Sequence, residues 1–248
     1  MVKRIRSMYS HKPISVLAVI MMMSVLLQGC LYPNELRKEN QASAREGILL
    51  VQNAVDEYQK TTGLLPLVNA GPETPRYEKF EINFKLLTSS ALLSSVPANA
   101  FESGGNDLYL ILNEETDPIV RVADLATAQH VNDLQRSIDV IKLEYEDIPR
   151  GDMLYPGFYE IPYSSINVRK ADVKSPYSGE SLTFMMDEHG SVYADYGPDI
   201  MQAIERSEDS EHAKQSADLR GVLVEEGLYV PIKSVPYVWK ENAPWPQP

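Results

Sequence analysis

The chain has one cysteine, Cys30, in 248 residues. No intrachain disulfide can form, so the fold must rest on its core. Histidine is scarce, with four in the chain, and no H-E-x-x-H pair occurs, which leaves a zincin site without support. There is no G-x-S-x-G elbow, no S-x-x-K, no Walker loop and no dinucleotide fingerprint. Basic residues are outnumbered, 23 Lys and Arg against 35 Asp and Glu. That balance argues against nucleic acid as a partner, since such binding rests on basic patches. It equally disfavours a surface lying flat on anionic lipid. Long apolar runs are missing as well. The longest, Ile14 to Leu27, is interrupted only by Ser15 and Ser24 and holds 14 residues. As a helix it would cover roughly 21 Å, short of the roughly 30 Å of a bilayer core.

What is present at the N-terminus explains that short run. Lys3, Arg4, Arg6 and Lys12 precede it with no acid among them, and Gly29-Cys30 follows it. A basic start, an apolar stretch and a small residue before a cut site describe a secretory signal, residues 1–29. Leu27-Gln28-Gly29-Cys30 resembles the lipobox of bacterial lipoproteins, and the chain as a whole resembles lipoproteins of bacillus-type Gram-positive bacteria. The resemblance implies a diacylglycerol on the Cys30 thiol, cleavage before Cys30, and a protein anchored to the cell membrane and facing outside the cytoplasm. Two acyl chains hold where one would be marginal. The mature chain would then run from 30 to 248. Without the leader's four bases, nineteen remain against 35 acids, a formal charge of −16.

Residues 30–35 read as a short tether, and 36–248 as one extracytoplasmic α+β domain. Ala44, Ile48, Val51, Val55 and Tyr58 recur at steps of four and three, which predicts an amphipathic helix over about 36–62, ended by Gly63 and Pro66. Alternation over Tyr77 to Phe84 predicts a strand, and Leu86 to Val96 a short helix. Leu108 to Leu112 and Ile119 to Val122 read as strands, with a helix from Asp124 to about Arg136 and a strand at Ile141, Leu143 and Tyr145. Thr183 to Met186 and Ser191 to Tyr196, joined by Asp187-Glu188-His189-Gly190, predict a hairpin. Pro198 suits the opening of a helix to Arg206, and Ser207 to Ser216 reads as an acidic loop. Five prolines from Pro231 to Pro248 predict an extended C-terminal tail rather than a central strand.

Two segments, Ala54 to Pro66 and Ser175-Pro176-Tyr177-Ser178-Gly179 with the hairpin after it, resemble pseudopilins of type II secretion. The likeness implies a long helix against an antiparallel sheet. It does not extend to polymer packing, because a lipobox and a polar tether stand where pseudopilins carry a prepilin cut site and a long apolar helix.

Candidate chemistry is sparse. Asp187-Glu188-His189 could offer metal ligands but suits a solvated turn, and Glu205, Glu208, Asp209 and Glu211 lack calcium-loop spacing. No catalytic residue, metal or cofactor is assigned. Tyrosine is frequent, 14 residues, often beside proline: Tyr155-Pro156, Pro162-Tyr163, Pro176-Tyr177 and Pro236-Tyr237. Both tryptophans, Trp239 and Trp245, lie in the tail. Flat aromatics of this kind anchor partners or sugar rings. Trp245 and Tyr237 are therefore the candidate binding residues, with Trp239 expected in the core. The function expected is a non-enzymatic binding module for an envelope protein or wall polymer. The alternative is a cell-envelope hydrolase with a scattered site.

Overall fold

The structure is a computed structural model and describes residues 32–68, 70–144 and 148–247. The chain forms two compact units, Met1–Lys38 and Glu39–Pro248. Cys30 and the leader lie outside the described residues. The second unit is an α+β assembly of helices and antiparallel sheets, and its first helix packs on a sheet.

Helix α1 spans Tyr32–Thr62 and so begins earlier than its apolar period suggests. Ala44, Ile48, Val51, Ala54 and Val55 are buried, the stripe that steps of three and four produce. Gly63 follows with φ 73°, and its N–H bonds the carbonyl of Gln59. The stripe packs on a ribbon of two antiparallel strands, β1 (Asp107–Leu112) and β2 (Ile119–Asp124).

This ribbon is buried on both faces, which is why Leu108 to Leu112 is a continuous apolar run. Tyr109, Ile111, Val120 and Val122 face α1 together with Phe84 and Leu87 of a short helix α2, Phe84–Ser89. Leu110, Leu112 and Ala123 face a second cluster with Tyr77, Val230 and Ile232. Single bridges, Glu81 to Leu110 and Val122 to Tyr229, cover the ribbon's two edges. The strand expected over Tyr77 to Phe84 is reduced to that bridge and one between Leu67 and Ile82, between a 3-10 turn at Arg76–Glu78 and α2.

Asp124 caps the next helix, α3 (Leu125–Glu144), by accepting the N–H groups of Ala126 and Thr127. The helix runs through Ile141 and Leu143, where a strand was expected. Ile141 is buried one turn after Ile138, while Leu143 is 88% exposed. Their alternation reflects two sides of a helix. α3 lies on a four-stranded antiparallel meander of β3 (Met153–Tyr155), β4 (Phe158–Glu160), β5 (Thr183–Asp187) and β6 (Val192–Asp195). The β5–β6 hairpin matches its sequence reading, with Gly190 at φ 76°.

The two helix–hairpin pairs are joined in the same way. The Gln52 amide on α1 accepts the N–H of Val120 at 2.6 Å and donates to the carbonyl of Pro118 at 3.0 Å. The Gln135 amide on α3 accepts the N–H of Val192 at 2.8 Å and donates to the carbonyl of Gly190 at 3.0 Å. In each case one side-chain amide takes the carbonyl and the N–H two residues apart where the second strand begins.

Helix α4 (Gly197–Arg206) carries Pro198 in its first turn. The acidic stretch after it contains a one-turn helix α5, Ser210–Ala213, capped by Asp209. Helix α6 (Arg220–Glu226) follows. The C-terminal segment corrects the expected extended tail: β7 (Tyr237–Lys240) and β8 (Ala243–Pro246) form a hairpin. Its two-residue turn, Glu241-Asn242, has φ values of 52° and 63°, the primed geometry that suits strand twist. The prolines of β8 are tolerated because the hairpin is only two strands wide.

Candidate functional site

The aromatic residues of the C-terminal hairpin do not form the expected surface anchor. Tyr237 is fully buried. Its hydroxyl donates to Asp195 Oδ1 at 2.8 Å and accepts the N–H of Tyr196 at 3.2 Å. Tyr155 donates to the other oxygen, Asp195 Oδ2, at 3.1 Å, and the N–H of Gly197 bonds Oδ1 at 2.9 Å. The Asp195 carboxyl thus ties β3, β6, α4 and β7 together. Burial raises its pKa, and the phenols of Tyr155 and Tyr237 are pushed far up chiefly by burial, so both remain donors. Tyr237 is a strut of the core.

Trp239 and Trp245 are both half-buried, where one was expected inside and the other outside. Lys214 Nζ lies 5.1 Å from the Trp239 ring and Lys240 Nζ 4.4 Å from that of Trp245. Trp245 also meets Tyr155 edge-on. Each indole already has a protein cation on its face.

The histidines are separated. His130 packs edge-on against Phe184 at 4.6 Å, and burial lowers its pKa. In the hairpin turn Asp187 accepts the N–H groups of His189 and Ser191, the work of a turn carboxylate. Among the described residues no cluster of three or more His, Cys, Asp or Glu could hold a metal ion.

The Ser-Pro-Tyr-Ser-Gly loop is built from its first residue. Ser175 is buried, donates to Asp199 Oδ2 at 2.9 Å, and accepts the N–H of Tyr177 at 3.1 Å. Gly179 sits at φ 77° and its N–H returns to the Ser175 carbonyl. Burial raises the Asp199 pKa, opposed by hydrogen bonds from Ser178 and Ser175. This knot fixes the loop to the first turn of α4 and sets Pro176 and Tyr177 beside α1. Gln41 of α1 donates to the Pro176 carbonyl at 3.2 Å, and the Tyr177 ring stands edge-on to Tyr196 with centroids 5.6 Å apart.

A groove of about 300 Å³ opens there. Its walls are Gln41 and Arg45 of α1, Pro176 and Tyr177 of the loop, Ala203 and Arg206 at the end of α4, and α6 with the segment to Tyr229. The volume is at the small end of ligand sites. Gly227 is required in the wall, since a Cβ there would lie 2.4 Å from the Leu223 carbonyl oxygen and 3.5 Å from Tyr177. Burial raises the pKa of Tyr177 and Tyr229, so both stay neutral, and the Tyr177 hydroxyl is itself buried. The lining offers two guanidiniums, a carboxamide and aromatic and aliphatic faces, groups that hold a ligand. Sequence reasoning noted Pro176-Tyr177 as one Tyr–Pro pair among several, and did not single out Arg45, Arg206 or Gln41.

Comparison with known proteins matches part of this frame. No curated protein and no solved structure matches the chain. Residues 44–124, from the buried face of α1 to the end of β2 and including Arg45, are similar to the family model described as the YphF family N-terminal domain.

Proposed function

We propose that the chain is a binding module of the cell envelope, held to the membrane by a lipid on Cys30 and facing outside the cytoplasm. The carrying observation is the groove between α1 and the Ser-Pro-Tyr-Ser-Gly loop, lined by two arginines and two tyrosines. The leader and Leu27-Gln28-Gly29-Cys30 support the location. The partner class that fits an envelope position is a wall polymer or an envelope protein.

The location and the binding are tested together in intact cells. Labelled fatty acid should enter the parent chain, and Cys30→Ala should abolish incorporation and release the protein from the membrane or leave its leader attached. Label retained by the alanine variant would defeat the anchor. A photoreactive residue at position 41 should form an adduct in cells, and one at exposed Arg169 should not. The same background at both positions would defeat the groove as the binding surface.

A further inference from the structure

The charge of the groove runs against that of the rest of the molecule. The chain carries a formal charge of −12. Most of its described cations already have partners. Lys60, Arg136, Lys142, Lys174, Lys214, Arg220, Lys233 and Lys240 pair with carboxylates. Arg76, Lys79, Arg150 and Lys170 lie over aromatic rings, and Arg121 bonds backbone carbonyls. Among the described residues Arg45, Lys85, Arg169 and Arg206 have no partner of these kinds, and of the four Arg45 and Arg206 line one groove. Both are exposed side chains, with no hydrogen bond or ion pair to another described residue. They stand on different helices, α1 and α4, beside the rings of Pro176, Tyr177 and Tyr229.

We propose that this groove binds an organic phosphate, with the phosphate on Arg45 and Arg206 and the carbon body of the ligand on Pro176, Tyr177 and Tyr229. The inference rests on the reading of the chain as a binding module and names the chemistry of its ligand. A guanidinium offers a planar fork of N–H donors, matched by two oxygens of a carboxylate or phosphate. Two forks from two helices present more donors than one carboxylate has oxygens, and a phosphate can meet both. The neutral phenols add no repulsion. The acidic remainder of the surface disfavours anions elsewhere, so binding concentrates where two uncompensated cations share one groove, whereas Lys85 and Arg169 lie outside it.

The ligand can come from a soluble phosphate ester or from a phospholipid headgroup, and two water-soluble probes separate them. Glycerol 3-phosphate and dihexanoyl phosphatidylglycerol, below its micelle concentration, are titrated calorimetrically into the purified full chain. At least one should bind, and Arg45→Glu with Arg206→Glu should weaken it by about 100-fold or more, as loss of two charge-assisted contacts implies. Preference for the monoester assigns a soluble ester, and preference for the lipid assigns a headgroup. Because both arginines are exposed, the double variant should melt with the parent, which separates lost binding from lost folding. Equal affinity of parent and double variant overturns the proposal, as does absence of binding by both probes. If that happens while position 41 still yields an adduct in cells, only the phosphate chemistry fails; absence of the adduct too would remove the binding reading itself.

Discussion

Asp107→Asn should make the chain more stable at neutral pH and leave its stability nearly unchanged in acid. Asp107 opens β1 and stands opposite Asp124 on β2. It is only 8% exposed. Among the described residues its one direct side-chain donor is Asn99 Nδ2 at 2.7 Å, and Asn99 in turn accepts the Tyr109 hydroxyl at 2.9 Å. Burial raises the carboxyl from an ordinary 3.8 to about 6; the Asn99 hydrogen bond opposes the rise and Asp124 adds to it. A carboxyl whose pKa is raised on folding contributes stability below its unfolded value and loses it as pH rises through the folded one. From 3.8 to about 6 this corresponds to about 3 kcal/mol at pH 7.5. The asparagine keeps an acceptor for Asn99 and has no charge to bury, so it should recover about 1–3 kcal/mol of that loss. Urea unfolding of parent and variant at pH 4, 6 and 7.5 measures it. Their difference should be small at pH 4, grow through pH 6 and level off by 7.5. A difference independent of pH, or one that favours the parent at 7.5, would refute the burial argument.

Two further substitutions probe the α1 interface. Val51 is fully buried on the face toward β1 and β2, so Val51→Asp should cost about 3–5 kcal/mol, a large part of a typical total of about 5–15 kcal/mol; thermal unfolding should lose its cooperativity, and a melt like the parent's would show that face to be free. Gly47→Ala should lower the melting temperature although alanine favours a helix, because its Cβ would lie 2.0 Å from the Tyr109 hydroxyl oxygen and 2.9 Å from Asn99 Oδ1; a rise in melting temperature would show that the Tyr109–Asn99 pair yields freely.

The parts of the fold legible in the sequence are those with a long periodic signal. The α1 stripe, the L-Y-L-I-L strand and the Gly190 hairpin each state their own period or turn. Strands β3 and β4 have three residues each, too few to show alternation, and only the Pro156-Gly157 turn between them marks the pair. The β7–β8 turn was hidden because Glu241, an unfavoured residue at positive φ, holds its first position. Val140 and Leu143, both exposed, blurred the inward face of α3. The shared clasp of Gln52 and Gln135 is a matter of register, invisible without the strands in place. The groove was illegible for a related reason. Its wall residues come from positions 41–45, 176–177, 203–206 and 222–229, and no local pattern links them. The aromatic tail, more conspicuous in sequence, spends Tyr237 on a buried carboxylate and covers both indoles with lysines.

The central claim is that the groove holds a ligand in the living cell. Arginine footprinting with phenylglyoxal tests it most directly, read by mass spectrometry in intact cells and on the purified, extensively dialysed full chain. Arg45 and Arg206 should be protected in cells and become reactive after dialysis, while exposed Arg169 reacts to the same extent in both. Equal reactivity of Arg45 and Arg206 in cells and after dialysis would contradict the account.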